Sequence, residues 1–148
     1  ELLCRAAGGS TFAPTGLTLP RPRRAFGSTV LDGEIWLVGG MREGFTPVPE
    51  VDVFAPRTRS WRSAPAPRSP RIAPFLVEVG GVLALAGGST EDGPCTDLEV
   101  LQPGAEHWTS LALPIDAPVL GALAWRDRVI VISRRGADLQ LTAVRLPA

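Results

Sequence analysis

The feature that most constrains the fold of this chain is an internal repeat with a unit of 47–48 residues. Three prolines, two glycine pairs and two tryptophans recur at this interval: Pro22, Pro70 and Pro118; Gly39-Gly40 and Gly87-Gly88; Trp61 and Trp108. Matches of several residue types in one register are typical of a repeat protein. Any fold proposed for the chain must therefore be built from one small structural unit used more than once.

Each complete unit contains four short segments that are typical of β-strands. The first strands, "FGSTVL" and "IAPFLVEV", lead to Asp32-Gly33 and Gly80-Gly81, which favour tight hairpin turns. The second strands, "EIWLV" and "VLALA", are apolar on both faces, as expected for strands buried between stacked sheets. The third strands, "EVDVF" and "DLEVL", alternate apolar and acidic residues, and a tryptophan opens each fourth strand. Four antiparallel strands per repeat indicate a β-propeller blade.

The composition agrees with an all-β chain and argues against several classes of protein. The 16 glycines and 15 prolines among 148 residues are evenly spaced, as turn-forming residues are in all-β proteins. The 15 basic and 15 acidic residues cancel, so no overall charge directs the chain to nucleic acid or to a membrane. No segment reaches the ~20 apolar residues of a membrane span. Cys4 and Cys95 match no zinc or redox spacing, and whether they are oxidised stays open.

Two of the repeats resemble the kelch repeat. The sequence "PRRAFGSTVLDGEIWLVGG", followed by "VDVFAPRTRSW", has the Pro-Arg start, the Asp-Gly turn, the strand aromatic, the double glycine and the spaced tryptophan of that family. The resemblance is close over 20–67 and good over 68–114, and it fades from residue 115 onward, where Ser133-Arg134 replace the double glycine. It implies an all-β, kelch-type β-propeller segment of four-stranded antiparallel blades. The glycine pairs would be structural, at strand exits, and the repeated tryptophans would pack between blades.

The chain is expected to form a single partial propeller over residues 1–148. Residues 1–20 would end a preceding blade, 21–67 and 68–114 would each form one blade, and 115–148 would form a degenerate or incomplete blade. Propellers typically need about four to eight blades to close. We therefore expect either self-association or the remaining blades of a longer chain to complete the ring, whose blade number stays open.

The residue pattern does not indicate catalysis, a metal site or a cofactor. His107 is the only histidine and lies at a turn, where a surface position is expected. Metal sites need several converging ligands, and the copper oxidases with kelch-like blades use tyrosine, which this chain lacks. The acidic pairs Glu50/Asp52 and Asp97/Glu99 recur at 47 residues, and we interpret them as partners for blade arginines or as a solvated face. We expect no enzyme activity, no metal and no cofactor.

Arginines cluster in the connections that lead into the blades. Arg21, Arg23 and Arg24 precede the first good repeat, and Arg68 and Arg71 occupy the equivalent connection of the second. These connections share one rim of a propeller, so the five arginines are candidates for partner binding. The alternative for Arg23 and Arg71 is salt bridging between blades to the third-strand acids. Nucleic-acid binding is not expected, because basic charge is not in excess and no aromatic platform is interleaved with it.

The function we expect is that of a non-catalytic kelch-type scaffold that binds a protein through its rim loops. Rigid blades present variable loops for recognition, and the two longest loops, 41–49 and 89–97, differ although their flanking strands match. Their partner-binding candidates are Arg42, Phe45, Glu91 and Asp92. The alternative is a carbohydrate-active or carbohydrate-binding propeller, such as a sugar epimerase or a lectin-like module. Neither the identity of the partner nor the compartment follows from the residues.

Overall fold

The computed structural model describes residues 2–147, and these residues form an all-β structure. Its strands in chain order are β1 (Leu3–Cys4), β2 (Ala13–Pro14), β3 (Gly27–Leu31), β4 (Glu34–Val38), β5 (Val51–Ala55), β6 (Ser60–Ala64), β7 (Phe75–Val79), β8 (Val82–Ala86), β9 (Ser89–Thr90), β10 (Gly93–Pro94), β11 (Asp97–Leu101), β12 (Thr109–Ala112), β13 (Val119–Trp125), β14 (Arg128–Arg135) and β15 (Asp138–Arg145). Within residues 2–147 the one helical segment is a 3-10 turn, Glu43–Phe45, and no helix there is long and apolar enough to cross a membrane.

The strands assemble into three consecutive blades. The first blade has the antiparallel order β3-β4-β5-β6, and the second blade has the order β7-β8-β11-β12. The third blade contains β13-β14-β15. Two short hairpins complete the list, β1-β2 before the first blade and β9-β10 between β8 and β11. The expectation of a propeller segment made of four-stranded antiparallel blades is confirmed.

The hairpins that join first and second strands have the backbone that their sequences predict. Asp32 and Gly33 have φ angles of 53° and 76°, and Gly80 and Gly81 have 61° and 86°. Two consecutive residues at positive φ match the right-handed twist of the flanking strands, and Asp-Gly and Gly-Gly tolerate this backbone best. The two-residue turns therefore set the register of β3 on β4 and of β7 on β8.

The blades stack through their apolar faces, with β3 beside β7 and β7 beside β13. Between the first and second blades lie two tryptophans and seven aliphatic residues: Trp36, Val38, Val51, Val53, Leu76, Leu83, Leu85, Leu101 and Trp108. A second cluster joins the second and third blades and includes Ala84, Ala86, Val100, Val129 and Val131. Because consecutive strand residues point to opposite faces, β8 contributes Leu83 and Leu85 to one cluster and Ala84 and Ala86 to the other. Its burial on both faces explains why its sequence is apolar throughout.

The glycine pairs lie at the junctions between consecutive blades. Gly39 and Gly87 have φ angles of 70° and 62°. A Cβ atom at Gly39 would lie 2.5 Å from the carbonyl oxygen of Arg71, and one at Gly87 would lie 2.5 Å from the Cβ of Val119. Arg71 and Val119 lead into the following blade, so the absence of a side chain is required for blade packing as well as for the backbone angle.

The two repeated tryptophans occupy equivalent positions but have different surroundings. Trp108 is buried between the first and second blades, and its Nε1 donates a hydrogen bond to the carbonyl oxygen of Pro65 at 2.8 Å. Trp61 pairs with Phe54 on the opposite face of the first blade, with a ring-centroid distance of 4.9 Å, and is half-buried. Of these two repeated tryptophans, only Trp108 packs between two blades of the described chain. For Trp61 the expectation stays a prediction, because Trp61 lies on the face of the first blade that turns away from the second.

The third blade departs from the repeat in two ways. Its second strand, β14, continues through Ser133 and Arg134 to Arg135, so it does not end where the other blades have a glycine pair. A two-residue turn at Gly136 and Ala137 then leads directly into β15, which pairs with β14 along its length. In residues 2–147 no fourth strand pairs with β15.

Candidate interaction surface

The long loops and the arginine-rich connections lie together at one end of the first two blades. The backbones of Arg24 and Met41 exchange hydrogen bonds of 3.0 and 2.9 Å, and those of Ile72 and Ser89, each 48 residues further on, exchange bonds of 2.9 Å. Each bridge ties a connection to the start of a loop. We call the surface formed by connections 20–24 and 67–71 and loops 41–49 and 89–97 the rim surface.

Phe45 is the most prominent side chain of the rim surface. It is 69% exposed and lies at the end of the 3-10 turn Glu43–Phe45. Gly44 and Phe45 have φ angles of 69° and 59°, and a non-glycine residue adopts positive φ only at an energetic cost. The guanidinium of Arg24 lies 5.8 Å from the centre of the Phe45 ring, within the range of a cation–π contact. The loop thus holds an aromatic ring in solvent at a defined place.

One cavity of about 690 Å³ opens on the connection side of loop 41–49. Arg21, Arg24 and Arg42 line it, together with Met41 and Thr46. Arg42 donates hydrogen bonds of 3.3 Å to both carboxylate oxygens of Glu50, while its side chain stays 46% exposed. Arginines on the wall of an open cavity offer planar donors that can be rearranged for a ligand.

A second cavity, of about 400 Å³, opens on the other side of the same loop. Its walls are prolines, one arginine, two acids and two hydroxyl residues: Pro47, Pro49, Pro70, Arg68, Glu91, Asp92, Ser69 and Thr90. Loop 41–49 contributes residues to both cavities and therefore forms the ridge between them. The two predicted loops and the two predicted connections are in this way brought into one surface.

The side chains of two predicted partner-binding arginines are buried beneath this surface. The side chain of Arg23 is fully buried, donates to Asp52 at 2.5 Å and bonds the carbonyl oxygens of Gly39 and Glu50 at 3.1 and 2.9 Å. Arg71 is 1% exposed. A partner cannot reach either guanidinium, so their interpretation as contact residues is corrected in favour of salt bridging. The expected bridging between blades is also corrected, because each arginine pairs with acids of its own blade.

The buried arginine of the second blade has more carboxylate partners than that of the first. Arg71 donates to Glu99 at 2.6 Å and to Asp97 at 2.9–3.0 Å, and it also bonds the carbonyl oxygen of Gly87 at 3.2 Å. In the first blade Asp52 is shared between Arg23 and Arg21. The interpretation of the third-strand acids as partners of blade arginines is confirmed by these ion pairs.

The different partner numbers shift the two arginine pKa values in opposite directions. Burial lowers the pKa of the Arg23 guanidinium below its usual range, and the negative charge of Asp52 offsets this only in part. Burial also acts to lower the pKa of Arg71, but the charges of Asp97 and Cys95 and the hydrogen bond to Glu99 outweigh it and raise the pKa. An arginine keeps its charge in either case, so both blades contain a permanently charged ion pair beside a glycine exit.

Some features of the surface were not predicted from the residue pattern. Pro47, Pro49 and Pro70 line the second cavity, and their only sequence signal is the density of proline in "TPVPE" and "PRSP".

Cys4 and Cys95 are both free thiols, and burial raises the pKa of Cys95. In the described part of the chain no three His, Cys, Asp or Glu side chains are grouped as a metal site would require.

Comparisons with known proteins agree with the blade architecture. Residues 22–68 match the family model of the Kelch motif. The chain is similar to the human Kelch repeat and BTB domain-containing protein 13, with 29% identity over 114 residues, which cover 76% of this chain and 25% of that protein. It is also similar to an F-box/kelch-repeat protein of Arabidopsis thaliana, with 27% identity over 112 residues, which cover 76% of this chain and 30% of that protein. The chain thus spans less than a third of the length of these relatives.

Proposed function

We propose, from the match of residues 22–68 to the Kelch motif and from the kelch-like blades, that the chain is a non-catalytic scaffold that binds a protein partner through the rim surface. Fold alone does not establish function. The proposal is supported by a single arrangement: two loops of unrelated sequence, on matching blades, flank two cavities at one rim. A repeated frame that carries dissimilar loops is the usual design of a recognition surface.

The proposed contact residues combine one apolar anchor with charges of both signs. Phe45 supplies the apolar group, and exposed aromatic residues beside arginines are typical of the residues that dominate protein interfaces. Arg21, Arg24 and Arg42 line the first cavity. Arg68, Glu91 and Asp92 line the second cavity. A protein partner with an apolar patch between a basic and an acidic region would complement this order.

The proposal is tested with two matched double variants of the whole chain. Phe45→Ala with Arg42→Ala removes the anchor and one cavity arginine. Phe12→Ala with Arg5→Ala is the control, because Phe12 is 67% exposed and lies with Arg5 outside the rim surface. Proteins that are captured by the wild type and by the control, but not by the rim variant, are then purified and their affinities measured by calorimetry.

The rim variant is expected to bind such a protein at least about tenfold more weakly, which corresponds to ~1.4 kcal/mol. The stability of both variants should stay within about 1 kcal/mol of the wild type, as is usual for surface substitutions. Equal binding by the rim variant and the wild type would disprove the assignment of the site to loop 41–49. Binding to a glycan array that the rim variant abolishes would instead favour a carbohydrate-binding propeller.

A further inference from the structure

A cavity of about 350 Å³ lies between the first and second blades, at the end opposite the rim surface. Three turns border it: the β3–β4 turn with Asp32, the β7–β8 turn with Gly81, and the β11–β12 turn over 102–105. We call it the indole cavity, and the other residues that line it are Leu31, Trp36, Arg62, Pro65, Leu83 and Leu101. Both blades are complete four-stranded sheets that face each other across it, so no further blade of a ring would fill it.

Trp36 brings an indole N–H to this cavity that has no hydrogen-bond partner. The side chain is 7% exposed, and its Nε1 is buried without an acceptor among residues 2–147. In the same blade interface the Nε1 of Trp108 donates to the carbonyl oxygen of Pro65. The Nε1 of Trp61 is also unpaired, but it lies on the face of the first blade that turns away from the second. A buried donor without an acceptor is costly, so the Trp36 indole favours any ligand that supplies one.

The guanidinium of Arg62 lies over the Trp36 ring, 5.2 Å from its centre. Trp36, Val53 and Arg62 occupy neighbouring positions on β4, β5 and β6 and share one face, so Arg62 reaches across Val53 to the indole. The side chain of Arg62 is 48% exposed, and its ion-pair partner Glu34 is also partly exposed. Because a surface ion pair of this kind contributes little to stability, Arg62 can turn aside into solvent at a small cost.

The remaining groups of the cavity define the chemistry of a ligand. Three leucines require an apolar body: Leu31, Leu83 and Leu101. Around the opening, the carboxylates of Asp32 and Glu34 outnumber the guanidinium of Arg62, so a carboxylate ligand is not favoured. An ammonium group has no lone pair to accept the Trp36 N–H, whereas an uncharged carbonyl oxygen does. At about 30 Å³ per water-sized group, the cavity holds roughly ten non-hydrogen atoms.

The junction between the second and third blades does not repeat this arrangement. Ala84 lies where the first blade has Trp36, and Thr109 lies where it has Arg62. Ala84 is fully buried against the third blade. The indole and its guanidinium cover are therefore specific to one blade junction of this chain.

We propose that the indole cavity binds a small uncharged organic molecule that has an apolar body and a carbonyl group. Arg62 turns aside, the apolar body packs on the leucines, and the carbonyl oxygen accepts a hydrogen bond from the Nε1 of Trp36. The cavity and the rim surface lie at opposite ends of the blades. This binding is therefore independent of the proposed binding of a protein partner.

Acetophenone, benzoate and benzylammonium test the proposal, because these probes are similar in size and differ in their polar group. The chain has four tryptophans, and their indole N–H signals in NMR spectra of the whole chain are assigned with single Trp→Phe variants. Acetophenone should shift the Trp36 signal, with a dissociation constant below roughly 10 mM, and leave the Trp61 signal unchanged. Benzoate and benzylammonium should bind at least about fivefold more weakly.

Two variants test the location, with binding measured from the acetophenone signals in saturation-transfer spectra. Ala105→Leu fills the cavity from its wall and should weaken binding at least about tenfold, whereas Ala143→Leu is the matched control at an exposed position of β15. Trp36→Phe keeps an aromatic ring but removes the N–H, and should weaken binding at least about fivefold. Circular dichroism checks that each variant is folded. The rim variant with Phe45→Ala and Arg42→Ala should bind acetophenone as the wild type does.

Three results would overturn the proposal. The first is a Trp36 signal that does not respond to acetophenone, as expected if water alone satisfies its Nε1. The second is an equal response to all three probes, which would show that the carbonyl group is not recognised. The third is unchanged binding by a folded Ala105→Leu variant, which would place the probe elsewhere. The first two results come from the wild type alone and do not depend on the folding of any variant.

Discussion

Arg23 and Arg71 are buried charged side chains whose neighbours in sequence lie on the surface. Each guanidinium bonds a third-strand carboxylate and the carbonyl oxygen of a blade's own exit glycine, Gly39 or Gly87. Buried charges are tolerated only when they are paired and hydrogen-bonded. The ion pairs therefore tie the connection, the glycine exit and the third strand of one blade together.

Removing Arg71 should be far more damaging than removing Arg68, although the two are three residues apart. Arg71→Ala would leave the buried carboxylate of Glu99 without its cation, and breaking a buried pair in this way costs about 3–5 kcal/mol. Arg68→Ala changes a surface side chain and should stay within about 0.5 kcal/mol. Urea unfolding at pH 7 measures both. Similar stabilities for the two variants would contradict the assignment of Arg71 to the interior.

Asp97 should make the stability depend on pH at the acidic end. Burial by itself raises the pKa of this carboxyl, but the hydrogen bond from Ser110 and the charge of Arg71 outweigh it and lower the pKa. The folded state thus binds the proton more weakly than the unfolded state, whose Asp pKa is about 3.9. The resulting stability is fully present above that value and is lost as the pH falls through the folded pKa.

Asp97→Asn removes this contribution. The variant should be less stable than the wild type at pH 7, and the difference should shrink steadily below about pH 4. The midpoints of urea unfolding of both proteins, measured at several pH values between pH 7 and about pH 4, report this difference. A stability difference that stays constant with pH would show that the charge of Arg71 does not stabilise the ionised carboxylate of Asp97.

At the scale of elements, the second strand and its glycine pair determine how one blade meets the next. β4 and β8 end at glycines with positive φ, and the chain then turns away into a long loop. β14 has no glycine pair and runs on into a tight hairpin. The third blade accordingly has a two-residue hairpin where the other two have a long rim loop. This difference in sequence therefore separates two blades with a long rim loop from one with a tight hairpin.

Gly39→Ala and Gly33→Ala separate the two requirements on glycine. Both residues have positive φ, 70° and 76°, and that backbone costs an alanine about 1–2 kcal/mol. A Cβ at Gly33 meets nothing within 4 Å, whereas one at Gly39 lies 2.5 Å from the carbonyl oxygen of Arg71. Gly39→Ala should therefore be more destabilising by at least about 1–3 kcal/mol, as overpacking usually is. Thermal unfolding of the two variants measures the difference, and equal effects would exclude a steric role at the blade junction.

In the whole molecule the second blade holds the structure together, because both of its faces are buried. One face packs on the first blade around Trp108, and the other packs on the third blade around Val129 and Val131. Stability in a repeat protein is the sum of unit and interface contributions. If the first or the third blade lost its contact with the second blade, apolar core residues of the second blade would be exposed to solvent.

The three blades should consequently unfold together. Tryptophan fluorescence reports mainly on the interface between the first and second blades and on Trp125 in the third. Far-UV circular dichroism reports on all of the sheets. Coincident transitions with urea are expected from both probes. A separate early transition seen by only one probe would show that an outer blade unfolds independently.

Much of this architecture follows from local patterns. The Asp-Gly and Gly-Gly turns, the apolar second strands and the 47–48-residue spacing identify the blades, because hairpin formation depends on neighbouring residues alone. The spacing also places the loops and the arginine connections at equivalent ends of their blades. Their grouping at one rim could be predicted for the same reason.

The amino-acid sequence by itself determined the repeat, the hairpins and the acid and arginine positions that recur with them, since each depends on residues close together in the chain. Only the tertiary structure decided that the side chains of Arg23 and Arg71 are buried while Arg24 and Arg68 are exposed. It also decided that Trp108 is enclosed and Trp61 is not. The reason is physical: burial depends on which blade covers a face, and residues with the same local pattern differ in what stands across from them.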